Sequence, residues 1–347
     1  MYIKKILLAI VFIGLAVAAY FAYYVYNTMF SPNTAFNNDT AYIFVKSTDT
    51  YKEVRKQLVP LLKDIDKFDA LAEQKKYVNN IKAGRFAIKK NMSNNDIVNS
   101  IRSNNIPIKV SFNNQETLEK LAGRVASQIE ADSISLLDAM KNKTFLNENN
   151  FKEETALGMY IPNSYEFFWN TSAEKFTSRM LKEYNRFWND SRKAKAKAIG
   201  LSENEVIALA SIVQKETAKV DERPRVAGVY INRLKKRMPL QADPTVIYAL
   251  KKKTGDFEKV IKRVLYKDLE IDSPYNTYKY AGLPPGLITM PDVSSIDAVL
   301  NHEKHSYYYF VVNVENFGYH KFAKTLAQHN RNKQEYIRWI NNKGIRR

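Results

Sequence analysis

A chain of 347 residues has room for two folded domains plus an appendage, and a hydrophobic fraction of 45% is enough for real cores. It contains no cysteine, which excludes disulfide scaffolds, zinc ribbons and thiol nucleophiles, and its four histidines, at 302, 305, 320 and 329, show no metal-ligand spacing. The net charge of +18 asks for an anionic partner, but Lys and Arg are spread along the chain and not bunched in an arm, which favours a membrane or cell-wall surface over nucleic acid. Neither a metal nor a cofactor is expected.

Residues 6–26 carry no charged side chain, a run of 21 positions and long enough to cross a bilayer. Lys4 and Lys5 precede it, so the positive-inside rule keeps the short N-terminus in the cytoplasm and exports the remainder. A cleaved signal peptide is the rival, with Ala16-Val17-Ala18 as its site, but apolar residues continue well beyond that point, which favours a retained anchor. The expected organisation is a cytoplasmic stub and transmembrane anchor (1–27), a polar linker (28–39), a small module (40–105) and a larger domain (106–347).

In the small module, strands are expected at 41–45 and 85–89 and helices at 51–63, 67–80 and 96–103. This strand-helix-helix-strand order is that of a LysM-like carbohydrate-binding module; a spacer without a ligand reads equally well. A strand at 106–112 leads into the larger domain, where helices are expected at 117–129 and 133–141. An aromatic turn spans 158–165. Helical periodicity then runs through 174–198, rich in Lys and Arg.

Ser202 with Glu205 forms a capping box that should start the next helix. Val206, Leu209, Ala210 and Val213 recur at helical spacing as its buried stripe. Glu216 lies three residues past Val213 and seven past Leu209, so its side chain leans over apolar neighbours while Lys215 points away. A carboxylate there is costly to ionise, its pKa should rise, and it can hold a proton to hand to a leaving oxygen. The blander reading pairs Glu216 with Lys219 or Arg223 at a frayed helix end. A second helix, 223–236, has Pro224 in its first turn and Glu222 placed to cap it. Asn232 is expected on a turn of that helix that an adjacent cleft could use. Asp243 or Thr245 should cap the helix beginning near Pro244. Ser273-Pro274-Tyr275-Asn276-Thr277-Tyr278 offers planar rings and amides suited to sugars, pinned by the rigid turn Gly282-Leu283-Pro284-Pro285-Gly286. A short helix at 295–301, a hairpin of 307–312 with 319–322, and a helix at 325–342 close the chain.

The stretches Ala210-Ser211-Ile212-Val213-Gln214-Lys215-Glu216-Thr217, Val229-Tyr230-Ile231-Asn232-Arg233-Leu234 and Leu240-Gln241-Ala242-Asp243-Pro244-Thr245 together resemble the YceG-like endolytic murein (peptidoglycan) transglycosylases. Tyr275-Asn276-Thr277-Tyr278, Gly282-Leu283-Pro284-Pro285-Gly286, Tyr309-Phe310-Val311 and Ala327-Gln328-His329-Asn330 extend the resemblance, which is strong from about 155 to 330 and loose before that. Two positions depart from the family pattern. Gln214 stands where the family often has Glu, and Pro162-Asn163-Ser164-Tyr165 stands where it has Pro-Asp-Thr-Tyr.

The resemblance implies an α+β protein with an N-terminal transmembrane helix, a LysM-like module and a larger mixed α/β catalytic domain. It also implies cleavage of the MurNAc–GlcNAc bond without water, with Glu216 as the catalytic acid and base. Gln241, Asp243, Thr245, Tyr275, Asn276 and Tyr278 become cleft residues by family position, with Glu222 and Asn232 as second choices. The implied partners are peptidoglycan glycan strands, the membrane through the anchor, and peptidoglycan synthases. Two rivals remain: a two-carboxylate muramidase that uses Asp243 or Glu222 as its second group, and a non-catalytic wall-binding partner of the elongation or division machinery.

Overall fold

The structure, a computed structural model, describes residues 2–342. It divides into two compact units: Met1–Val110, Gln128–Ala131 and Tyr165–Ser172 in one, and Ser111–Ser127, Asp132–Ser164 and Ala173–Arg347 in the other.

The first unit opens with α1 (Tyr2–Phe30), whose apolar side chains are exposed along most of its length. Among the described residues it is the one helix long and apolar enough to cross a membrane, with a mean hydropathy of 2.5 over its most apolar 18 residues. The segment after it, expected to be a polar linker, is docked against the unit. Thr28, Asn33 and Thr34 are buried. Asn33 Nδ2 donates to the Asp64 carbonyl and to Asn94 Oδ1, each at 2.7 Å, and Asn94 Nδ2 donates to the Thr28 carbonyl at 2.8 Å. Backbone bridges join Pro32 to Ser93 and Thr34 to Leu62. Buried amides that satisfy backbone groups in this way fix the path of the chain.

Strand β1 (Thr40–Val45) pairs antiparallel with β2 (Gly84–Lys89), placing Ile43 opposite Phe86. Helices α2 (Tyr51–Leu58) and α3 (Ile65–Gln74) lie between them in sequence, and α4 (Asn94–Ser103) follows. Val45, Leu58, Phe68, Ile88 and Ile97 share one core. The helix expected over 51–63 stops at Leu58 and continues as a 3-10 turn, because Pro60 has no N–H to offer and crowds the preceding turn. The helix expected over 67–80 stops at Gln74: Lys76 takes a left-handed φ of 57° and turns Tyr77 into the core.

The chain continues through β3 (Pro107–Phe112), α5 (Leu118–Ala126), α6 (Ser133–Met140), α7 (Lys143–Glu148) and α8 (Glu153–Ala156) to β4 (Asn163–Phe168), which pairs with β3. Residues 163–165, expected within an aromatic turn, begin that strand. The single helix expected over 174–198 is two, α9 (Ala173–Phe187) and α10 (Asp190–Ala198). Trp188 plunges into the core between them, and Asn189 caps α10 by accepting from the Arg192 N–H.

Next comes α11 (Glu203–Glu216), with the Ser202–Glu205 capping box at its start. Every residue from Val206 to Val213 is buried, so the helix is enclosed on all sides and not along one stripe. It packs on α12 (Arg223–Lys235), α13 (Asp243–Thr254) and α14 (Val293–Leu300). Gly228 lets α12 approach the following chain closely: a Cβ there would sit 2.4 Å from the Glu303 carbonyl oxygen. The hairpin of β5 (Tyr309–Val312) and β6 (His320–Ala323), then α15 (Leu326–Asn342), complete this unit.

Candidate active site

Helix α11 ends at Glu216 because Thr217 swings to an extended conformation, with φ −136° and ψ 133°. The half-buried Glu216 side chain therefore projects from a helix terminus into a cavity of about 250 Å³. Tyr230 and Arg233 of α12 form one wall, Leu240, Gln241 and Asp243 a second, and Tyr278, Phe310 and His329 close it. Burial pushes the Glu216 carboxyl from 4.5 up to about 7. The nearby Asp243 charge adds to the rise, while the Tyr230 hydrogen bond, His320 and Arg233 oppose it.

Tyr230 is fully buried; its hydroxyl donates to Glu216 Oε1 at 2.8 Å, and its ring meets Phe310 edge-on at 5.9 Å. Arg233, 7% exposed, donates to the carbonyls of Tyr308 and Leu240, both at 2.7 Å, and so ties α12 to the lead-in of β5 and to the loop carrying Gln241. That loop is strained at Gln241, a non-glycine residue with φ 51°. Across the cavity the Tyr278 hydroxyl donates to Asp243 Oδ1 at 2.6 Å. Among the described residues no group of His, Asp and Glu is arranged to hold a metal ion.

The structure thus brings Glu216, Gln241, Asp243 and Tyr278 together and places the remaining sequence candidates elsewhere. Thr245 is fully buried, donating to the Ala242 carbonyl at 2.7 Å and bonding the Thr277 hydroxyl at 2.9 Å. Asn276 is equally buried and donates to the carbonyls of Leu269 and Ile271. Tyr275 packs its ring 4.7 Å from that of Tyr248. Asn232 donates to the carbonyls of His305 and Tyr307. These four hold the scaffold in which the cavity sits.

Neither expected cap is made by its side chain. Ala242 occupies the position before α13, leaving Asp243 to Tyr278 and Thr245 to the interior. Glu222 stands at the N-cap of α12, but its carboxylate accepts from His320, from the backbone N–H at 2.6 Å and from Nδ1 at 2.8 Å. Burial alone would raise this carboxyl, yet the bonds to His320 prevail and hold it below the ordinary value. Gln214 points away from Glu216: its Oε1 accepts from the Asp292 N–H and the Ser295 hydroxyl at the start of α14. Lys215 faces the other side and pairs with Glu116 at 2.9 Å.

Tyr230, Arg233, Leu240, Phe310 and His329 are the cavity residues that sequence reasoning did not single out, although all five lie within motifs it quoted. Replacing Tyr230 by Phe removes the bond that stabilises the ionised Glu216. The expected result is a higher Glu216 pKa and a loss of turnover of roughly tenfold, visible as a pH–rate profile whose alkaline limb moves to higher pH.

Glu216, its carboxyl raised by burial to about 7, thus lines a cavity rimmed by aromatic rings and one further carboxylate, Asp243, a candidate acid–base site. The chain belongs to the YceG-like family, whose family model matches residues 43–335. It is 32% identical over 278 residues to an endolytic murein transglycosylase of Bacillus subtilis, a match spanning 75% of this chain and 74% of the relative. An endolytic murein transglycosylase of Streptococcus pneumoniae D39 is 29% identical over 298 residues, 78% of this chain, though the match spans only 53% of that longer relative. A crystal structure of a YceG-like protein from Listeria monocytogenes, 28% identical, superposes with a TM-score of 0.56 over 85% of this chain and 99% of its own.

Proposed function

We propose that this protein is a membrane-anchored lytic transglycosylase that cleaves the MurNAc–GlcNAc bond of nascent peptidoglycan and so limits glycan strand length. The observation that carries this reading is Glu216, half-buried at a cavity wall with its carboxyl raised to about 7. The neutral acid donates its proton to the glycosidic oxygen as the bond to C1 breaks. The resulting carboxylate takes the proton from the C6 hydroxyl of the same muramyl residue, whose oxygen bonds C1 and closes a 1,6-anhydro ring. One carboxyl therefore serves both steps and ends as it began, with no water consumed. The nucleophile is part of the substrate, so its attack has the advantage of proximity.

Membrane attachment through α1, with the remainder on the extracytoplasmic side, is supported by the length of that helix and by Lys4 and Lys5 before the apolar run. The β1-α2-α3-β2 order supports a LysM-like role for the first unit.

Asp243 favours one competing reading. It lines the same cavity, so a two-carboxylate hydrolysis is chemically conceivable there. Mass spectrometry of the glycans released from purified sacculi separates the two. The proposed reaction leaves anhydro ends, lighter by one water than the reducing ends of a hydrolase. A release of reducing ends, or of nothing, defeats the proposal.

A further inference from the structure

A second, larger trough of about 540 Å³ adjoins the Glu216 cavity and shares Asp243 and Tyr278 with it as lining residues. The trough runs between the loop after α13 and one side of α15. Lys262 and Arg263 come from the loop and Lys333 from α15, and all three are solvent-exposed. Among the described residues none of the three pairs with a carboxylate, whereas Lys215, Lys251, Arg225 and Lys321 elsewhere in this unit each do. The one carboxylate among the trough's described lining residues, Asp243, accepts the Tyr278 hydroxyl at the boundary with the cavity. Tyr266, 87% exposed, and Tyr336 add aromatic surface beside the cations. Three uncompensated cations around one concavity form an anion-binding surface. An Arg among them can hold a planar carboxylate through two parallel bonds.

We propose that this trough is a subsite for the carboxylate-bearing peptide substituents of the glycan. The proposal rests on the reading of the Glu216 cavity as the place where the strand is cut. A strand threaded there carries its peptide side arms on the muramyl residues. An arm leaving a sugar near Asp243 and Tyr278 enters the trough, where its free carboxylates meet Lys262, Arg263 and Lys333 and its uncharged portion lies along Tyr266 and Tyr336. The enzyme would then select strands whose peptides are still present.

The test uses the full chain in detergent carrying Lys262→Gln, Arg263→Gln and Lys333→Gln together. The probes are glycan strands with intact stem peptides and the same strands stripped of peptide by an amidase. A control chain carries Lys182→Gln, Lys193→Gln and Lys197→Gln, which remove equal charge from α9 and α10. Binding is read in a Glu216→Gln background and turnover with Glu216 intact. The preference for peptide-bearing over stripped strands is expected to fall about tenfold in the trough variant, mainly through KM, and to persist in the control. An equal loss on both kinds of strand, an equal loss in the control, or no loss overturns the proposal. If strands with Glu216 intact are not cut at all, the catalytic reading fails, while the binding comparison still decides the subsite.

Discussion

Replacing Glu216 by Gln is expected to reduce glycan cleavage by about 10³-fold, the scale on which a positioned acid–base group acts, without unfolding the protein. Gln keeps the shape and still accepts from the Tyr230 hydroxyl, but it has no proton to give. The same substitution has a second, opposite consequence. The Glu216 carboxyl titrates near 7 in the folded chain and near 4.5 when exposed, so between those values the folded state retains a proton that the unfolded state has released. The stability linked to this proton is present in full below pH 4.5 and is lost as pH rises through 7, an amount on the order of 3 kcal/mol at most. Gln carries no such dependence. Urea unfolding between pH 4 and 8.5 should therefore show the wild type losing stability relative to the variant, and the variant being the more stable form at pH 8. Persistent release of anhydro-ended glycans by the variant, or parallel pH curves for the two proteins, would falsify the assignment of Glu216 as the proton carrier.

Arg233→Ala should have the largest effect on stability, a loss of about 3 kcal/mol, because it strands the carbonyls of Tyr308 and Leu240 that the guanidinium now satisfies in a buried place. Arg233→Lys should recover only part of that loss, since a point charge cannot span both acceptors. Activity reports the same residue differently. Arg233 depresses the Glu216 pKa, so at permissive temperature the alkaline limb of the Arg233→Ala rate profile should lie at higher pH than in the wild type. A chemical-denaturation midpoint unchanged from wild type would show that the guanidinium does not hold the Gln241 loop.

The sequence made the central helix legible because local chemistry fixes it: the Ser202–Glu205 box starts it, and the apolar run beyond needs burial. The position of Glu216 at its end was equally readable, as were the closing hairpin and Pro224 in the first turn of α12. The break at Trp188 and Asn189 was not, since helical periodicity continues on both sides of one residue that prefers the core. Thr245, Tyr275 and Asn276 show a subtler limit. Hydroxyls and amides in the first turn of a helix or in an irregular loop look alike whether they await a sugar or satisfy the backbone around them, and only tertiary placement tells the two apart. Tyr230 and Arg233 were hidden for the converse reason. On a helix buried over most of its length they read as packing, until the turn between α11 and α12 sets Tyr230 against Glu216.

The docking of residues 28–34 bears on how the enzyme would meet the wall. Twelve unstructured residues between lipid and first unit would let that unit wander over roughly 20 Å. The amides of Asn33 and Asn94 and the Pro32 and Thr34 bridges remove that slack and fix the end of the helix to the rest of its unit. Under the proposed anchoring, the first unit rides at one set standoff above the bilayer, so the depth of wall it samples is built into the chain and not left to diffusion on a leash.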